Sequence, residues 1–167
     1  MIFKNLTKNF YISSLIVFII FLLDRISKIY VVNIVSKNYS SELFSSKFLN
    51  INLIWNEGIA FGLLSFDHSN LYNILTSVIA LIIVIVFFMI LKNNNIKRYP
   101  LLMIFGGAIG NLFDRVRYKA VPDFIDFHIG DFHWFIFNVA DIFISLGVFY
   151  MILLELIDIN KDQHEKI

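Results

Sequence analysis

LYNILTSVIALIIVIVFFMIL, residues 71–91, carries no charged side chain, no glycine and no proline. A helix needs about 20 apolar residues to cross a hydrocarbon core of roughly 30 Å, so this stretch predicts a membrane span. Working outward, residues 134–156, WFIFNVADIFISLGVFYMILLEL, form a second candidate, interrupted by Asp141 and closing on Glu155. A third opens at Phe10 and is free of charge to Leu23. It reaches spanning length only by continuing through Asp24, Arg25 and Lys28 to about residue 35. The fourth, residues 99–115, is glycine-rich to about Phe113 and ends in the polar run 111–115. The expected architecture is an all-α membrane protein: one polytopic domain over residues 1–167, with four transmembrane helices at about 10–35, 71–91, 99–115 and 134–156. Segments 36–70 and 116–133 then share one side.

Composition agrees. Of 167 residues, 58% are hydrophobic and 16% charged, against roughly 45–50% and 25% in soluble domains. Nineteen Phe with seven Gly and two Pro argue against disorder. Thirteen acidic against fourteen basic side chains leave no electrostatic basis for binding nucleic acid. The absence of cysteine excludes disulfides, thiolate metal sites and a thiol nucleophile. Lys4 and Lys8 precede an apolar stretch, as in a signal peptide, but that stretch runs into Asp24 with no small-x-small cleavage pattern and reads as a retained span.

Orientation follows from the basic residues. Lys4, Lys8, Lys92, Lys97, Arg98, Lys161 and Lys166 fall on one side; Lys37, Lys47, Arg115, Arg117 and Lys119 fall on the other. The compact turn at 92–98 decides the matter, and the positive-inside rule gives N-in and C-in. The two longer segments then face outward. In KFLNINLIWNEGIAFGLLSF (47–66), the first half alternates like a strand and the second reads as a short interfacial helix. VRYKAVPDFIDFHIGDFH (116–133) alternates polar and aromatic residues around Pro122, so a small outward β-cradle is expected.

An ionisable group within a span costs about 2.5–3.5 kcal/mol on the most lenient scale and marks a functional site by default. Asp24 and Lys28 stand four apart on one helical face, in the favourable acid-before-base order. A structural ion pair is the plain reading. Gly106 and Gly110 form a small-xxx-small pair for close helix packing, and Asn111, Asp114 and Arg115 follow on a shared face. A neighbouring Arg115 is expected to keep Asp114 ionised. Asn138, Asp141 and Ser145 make one polar stripe. Asp141 has no basic residue within a turn of its own helix; it is either held neutral or paired with Lys28 or an arginine from another helix. Asp123 lies in the extended segment before it. A segment folded back over the bundle brings Asp123 towards Asp141, and two carboxylates in one low-dielectric pocket share a proton. That is the state an aspartic peptidase requires.

Other chemistries lack their residues. No Gly-x-Ser-x-Gly elbow, His-Glu-x-x-His helix or phosphate loop is present. His128 and His133, with Asp126 and Asp131 nearby, suggest a metal site only superficially, since positions five apart in one strand face opposite sides. A small proton-coupled transporter using Asp24, Asp114 and Asp141 is the alternative, weakened by the gathering of the acids near one face and by the lack of an inverted repeat. A Mg²⁺-dependent phosphotransferase lacks carboxylates repeated along one helix.

Five motifs occur in order: Asp-Arg-Ile-Ser-Lys (24–28), Asn-Glu-Gly-Ile-Ala-Phe (56–61), Gly-Gly-Ala-Ile-Gly-Asn-Leu-Phe-Asp-Arg (106–115), Val-Pro-Asp-Phe-Ile-Asp (121–126) and Phe-Asn-Val-Ala-Asp (137–141). Together they resemble the signal peptidase II family of bacterial lipoprotein signal peptidases, over nearly the whole chain. The resemblance implies an aspartic endopeptidase of the bacterial cytoplasmic (inner) membrane, with its active site near the outer face. It implies cleavage of diacylglyceryl-modified prolipoproteins just before the lipid-modified cysteine, with no cofactor or metal and no obligate protein partner. The implied partners are the prolipoprotein and membrane lipids. Carried over by motif, Asp123 and Asp141 are the catalytic pair, and Asn56, Gly58, Asn111, Arg115 and Asn138 bind substrate. Asp24, Lys28 and Asp114 give structural support, and residues 58–66 act as a flap. Pro122, where a β-branched residue is expected, and Glu57, an added acid, depart from the pattern.

Overall fold

In a computed structural model, which describes residues 2–38, 40–58 and 69–164, the uncharged stretch becomes a single helix, α2 (Ser69–Lys92). The other helices are α1 (Ile2–Asn38), α3 (Arg98–Tyr118) and α4 (Val139–His164). Four strands, β1 (Glu42–Ser45), β2 (Leu49–Asn56), β3 (Val121–Ile129) and β4 (Phe132–Phe137), form one antiparallel sheet in the order β1-β2-β3-β4. The chain connections place that sheet where α1 and α3 end and where α2 and α4 begin.

Several boundaries differ from the sequence reading, each for a local reason. Residues 134–137, expected in the fourth span, belong to β4, where Phe137 pairs with Ile125 and Ile136 with Asp126. Its aromatic residues and the β-branched Ile136 suit a strand. The helix starts at Val139 because Asn138 caps it, its Oδ1 accepting the Asp141 N–H at 3.2 Å. Helix α3 runs three residues past 115 and stops where Lys119, at φ 58, donates its N–H to the Arg115 carbonyl at 3.2 Å. At the other end of α3, Pro100 sits in the first turn, where its missing N–H has no intrahelical partner to lose. The expected strand in 47–66 is β2, extended to Asn56. The expected interfacial helix and the 58–66 flap lie outside the described residues from residue 59 onward.

Helix α3 packs against the other three. Its glycines set the spacing from α4. A Cβ on Gly107 would lie 2.5 Å from the Ala140 carbonyl oxygen, and one on Gly147 of α4 would lie 2.8 Å from that of Pro100. Val86, Ile90, Leu101 and Leu102 form an apolar core between α2 and α3.

The distribution of polarity is inverted relative to a water-soluble bundle. Phe18, Phe88 and Phe149 point outward at 56–60% exposure, whereas Asp24 and Asp114 are wholly buried. Soluble monomers do not expose apolar surface on this scale while burying their charges. Among the described residues, α2 (from Leu71) and α4 (to Asp158) are long and apolar enough to cross a membrane by themselves. Among the helices, α1 and α3 carry the buried charges Asp24, Lys28 and Asp114.

Candidate active site

Two buried polar layers meet between the sheet and the helices. The lower one joins α1 to α3. Arg25 reaches across to Asp114, donating from Nη1 to Oδ1 at 2.5 Å, and turns Nη2 to its neighbour Asp24 at 2.7 Å. Lys28 Nζ lies 2.9 Å from Asp24 Oδ1 and 2.7 Å from Asp114 Oδ2. Two cations thus face two carboxylates, and the cluster is neutral. Gly110 makes room for it, since a Cβ there would come within 2.6 Å of Asp24 Oδ2. The second oxygen of Asp24 also accepts the backbone N–H of Ala140 at 3.1 Å, which ties α4 to the same cluster.

The expected Asp24–Lys28 pair is present, but the partner expected for Asp114 is not the one found. Arg25 and Lys28 hold Asp114, whereas Arg115 turns away and donates to the Gly58 carbonyl at 3.3 Å. A residue adjacent in a helix points about 100° away, while one on a packed neighbour can face directly. Arg25 was the member of the cluster whose role the sequence reading missed. Three charges within residues 24–28, directly after the uncharged run 10–23, are the available signal.

Above this cluster, Lys28 donates to Asn111 Oδ1 at 2.8 Å, which fixes the Asn111 amide so that its Nδ2 donates to Asp141 Oδ1 at 2.8 Å. The other oxygen of Asp141 accepts the Asn138 backbone N–H at 3.0 Å. With the bond from Asp141 N–H to Asn138 Oδ1, this closes a reciprocal capping box at the start of α4. Asp141 therefore has neither Lys28 nor an arginine as its direct partner; two amides take that role.

Asp123 approaches from β3. Its Oδ1 accepts Asn138 Nδ2 at 2.6 Å, and its Oδ2 accepts Asn56 Nδ2 at 2.9 Å. Strand pairing sets this up: β2 runs beside β3 with Asn56 opposite Val121 and Ile54 opposite Asp123. Pro122 is buried opposite Trp55 in the same ladder, and the strand continues through it. Asn56 Oδ1 in turn accepts the Gly58 N–H at 3.0 Å. Asn138 thus touches both aspartates, one through its side chain and one through its backbone. Burial pushes the Asp123 carboxyl up from 3.8 to about 6, offset by the Asn56 hydrogen bond and reinforced by the Asp141 charge. Glu57 lies beside Asn56 without a bond to either aspartate among the described residues.

A groove of about 670 Å³ opens next to Asp141, walled by Phe48, Phe127, Trp134, Phe135 and Leu146. An apolar trough that reaches the half-buried Asp141 suits a substrate with an apolar segment. The histidines expected to face apart come together instead. Gly130, at φ 58, turns the chain between β3 and β4, so His128 and His133 pair across a hairpin rather than lying along one strand.

Comparisons with known proteins agree with this geometry. The sequence model of the family described as Signal peptidase (SPase) II matches residues 16–157. The chain is 52% identical over 159 residues to a lipoprotein signal peptidase of Pelagibacter ubique, covering 95% of this chain and 96% of that one. It is 39% identical over 148 residues to that of Anaplasma phagocytophilum, covering 87% and 92%. A bacterial membrane enzyme solved by the in meso method superposes with a TM-score of 0.70 at 25% identity, covering 86% of this chain and 91% of that one. A second superposes at 0.69 and 27%, covering 89% and 90%. With its buried carboxylates, its small sheet and its apolar outer surface, the chain belongs to the signal peptidase II family of membrane peptidases.

Proposed function

We propose that this protein removes the signal peptide from diacylglyceryl-modified prolipoproteins, cleaving before the lipid-modified cysteine with Asp123 and Asp141 as the catalytic pair. The observation that carries the reading is the convergence of both aspartates on Asn138 at the mouth of an apolar groove. Water is polarised between the carboxylates. The ionised one takes a proton from it as its oxygen bonds to the scissile carbonyl carbon, and the protonated one gives its proton to the carbonyl oxygen. Collapse of the tetrahedral intermediate returns one hydroxyl proton to the ionised carboxylate and breaks the C–N bond, while the other carboxyl, protonated in the first step, gives its proton to the leaving nitrogen. Burial of Asp123, which raises its carboxyl to about 6, helps the pair to hold one proton near neutrality. No cofactor takes part in these steps.

The remaining polar residues act around this pair. Asn111 and Asn138 position the aspartates, and Asn56 with Gly58 and Arg115 presents hydrogen-bonding groups to the substrate backbone. Asp24, Lys28 and Asp114 brace the helices beneath. The substrate signal helix and its acyl chains reach the groove laterally from the bilayer, and its unwound segment lies along the sheet.

All four helices cross the cytoplasmic (inner) membrane as a single domain, with both termini inside. The positively charged turn carrying Lys92, Lys97 and Arg98 lies at the end of the bundle remote from the sheet, which supports an outward-facing site. The test is cleavage of a lipid-modified prolipoprotein in proteoliposomes by the wild type, Asp123→Asn and Asp141→Asn. Each substitution abolishes signal-peptide release while the protein still inserts. Wild-type cleavage by either variant refutes the pair.

A further inference from the structure

The β3–β4 hairpin holds a second constellation that peptide hydrolysis does not use. Asp126, His128 and His133 bring one ligand atom each to within 4.8 Å of one another. Asp126 is a buried anchor: its side chain is 3% exposed, and His133 Nδ1 lies 2.9 Å from its Oδ2. The two imidazoles stack at 4.9 Å with 17° between their planes. His128 Nδ1 is shut off from solvent with no hydrogen-bond partner among the described residues. An Asp–His ion pair alone accounts for His133 but leaves that buried nitrogen unsatisfied. Two protonated imidazoles in contact would also repel each other.

We propose that these three side chains bind a zinc-class divalent ion, with one nitrogen from each histidine, one oxygen from Asp126 and a fourth position open to water. Zinc takes this mixed nitrogen and oxygen donor set at roughly 2.0–2.2 Å, which places tetrahedral ligand atoms about 3.4 Å apart. From separations of up to 4.8 Å, side-chain rotation at His133, which is 51% exposed, supplies the adjustment. Magnesium and calcium prefer all-oxygen shells and are rejected by two imidazoles. His128 also lines the apolar groove that reaches Asp141. A bound ion therefore clips β3 to β4 in the groove wall, distinct from the pair of aspartates and independent of what that pair does.

The test is a Zn²⁺ titration by calorimetry on the full chain, purified in detergent without a histidine tag, with Mg²⁺ in parallel. One Zn²⁺ per chain is expected, with a raised melting temperature and no saturable Mg²⁺ binding. His128→Ala and His133→Ala each weaken Zn²⁺ binding by about tenfold or more, the scale on which lost metal-site interactions register. His133 is half-exposed, so His133→Ala retains the fold, which an unchanged circular dichroism spectrum verifies. The proposal is overturned by any of three results: no saturable Zn²⁺ binding by the wild type, affinity unchanged in both variants, or Mg²⁺ bound as tightly as Zn²⁺.

Discussion

Replacing Lys28 with methionine keeps the length of the side chain and removes its charge. Lys28 is 2% exposed, so the loss is not softened by solvent. The substitution deletes contacts of 2.9 and 2.7 Å to Asp24 and Asp114 and leaves two buried carboxylates facing Arg25 alone. Breaking a buried ion pair from one side costs about 3–5 kcal/mol, because the abandoned charge stays desolvated. At roughly 2–4 °C per kcal/mol for a chain of this size, the melting temperature falls by roughly 6–20 °C. Trp55 and Trp134 fluorescence on heating in detergent reads it directly. Adding Asp24→Asn to Lys28→Met restores neutrality, with Arg25 against Asp114, and recovers a large part of the loss. The coupling energy from the four-member cycle isolates the pair. A Lys28→Met protein that melts within about 2–4 °C of the wild type, less than about one kcal/mol, refutes the cluster as the lock between α1 and α3.

Four further outcomes are expected. The raised Asp123 carboxyl is protonated below about pH 6 and ionised above it, so kcat/KM falls on the alkaline side from about pH 6; an alkaline limb absent throughout that range counts against Asp123 as the acid. The same shift makes Asp123 a diminishing contributor to stability as pH rises from about 4 to 6, because the unfolded carboxyl releases its proton first. Asn138→Ser retains an N-cap and holds stability near wild type, yet loses the amide donor to Asp123 and most activity; Asn138→Ala loses both, with about 1 kcal/mol of stability, and the two variants are separated by melting and cleavage assays. Gly107→Ala places a methyl group 2.5 Å from the Ala140 carbonyl oxygen, which no rotamer relieves; α3 and α4 must part, with about 1–3 kcal/mol lost on thermal unfolding.

The elements legible in sequence were those fixed by local chemistry. Residues 71–91 could only be a long apolar helix, and the alternation around Asp123 could only be extended. Asp24 with Lys28 was readable because helical spacing determines which residues share a face. What escaped was set by partners distant in the chain. Arg25 stands three residues before Lys28, on the same side of α1, but only the approach of Asp114 on α3 makes it the bridge between helices. Asp114 was assigned to Arg115 from adjacency, which a helix does not reward. The histidines were misread because counting along one strand assumed no turn at Gly130, a residue whose φ of 58 reverses the chain between them. The start of α4 lies five residues later than the sequence suggests because hydropathy does not distinguish the aromatic strand Phe132–Phe137 from a span; the Asn138–Asp141 box is the better signal.

The neutral cluster also constrains how the molecule is made. Asp24, Arg25 and Lys28 give α1 one surplus positive charge at that level, and Asp114 gives α3 the matching negative one. Each helix by itself is a poor tenant of hydrocarbon, and among the described residues it is α2 and α4 that are apolar enough to cross alone. Their charges cancel only on meeting. On the four-span arrangement proposed above, the first and third helices are therefore expected to enter the bilayer as a couple rather than in turn.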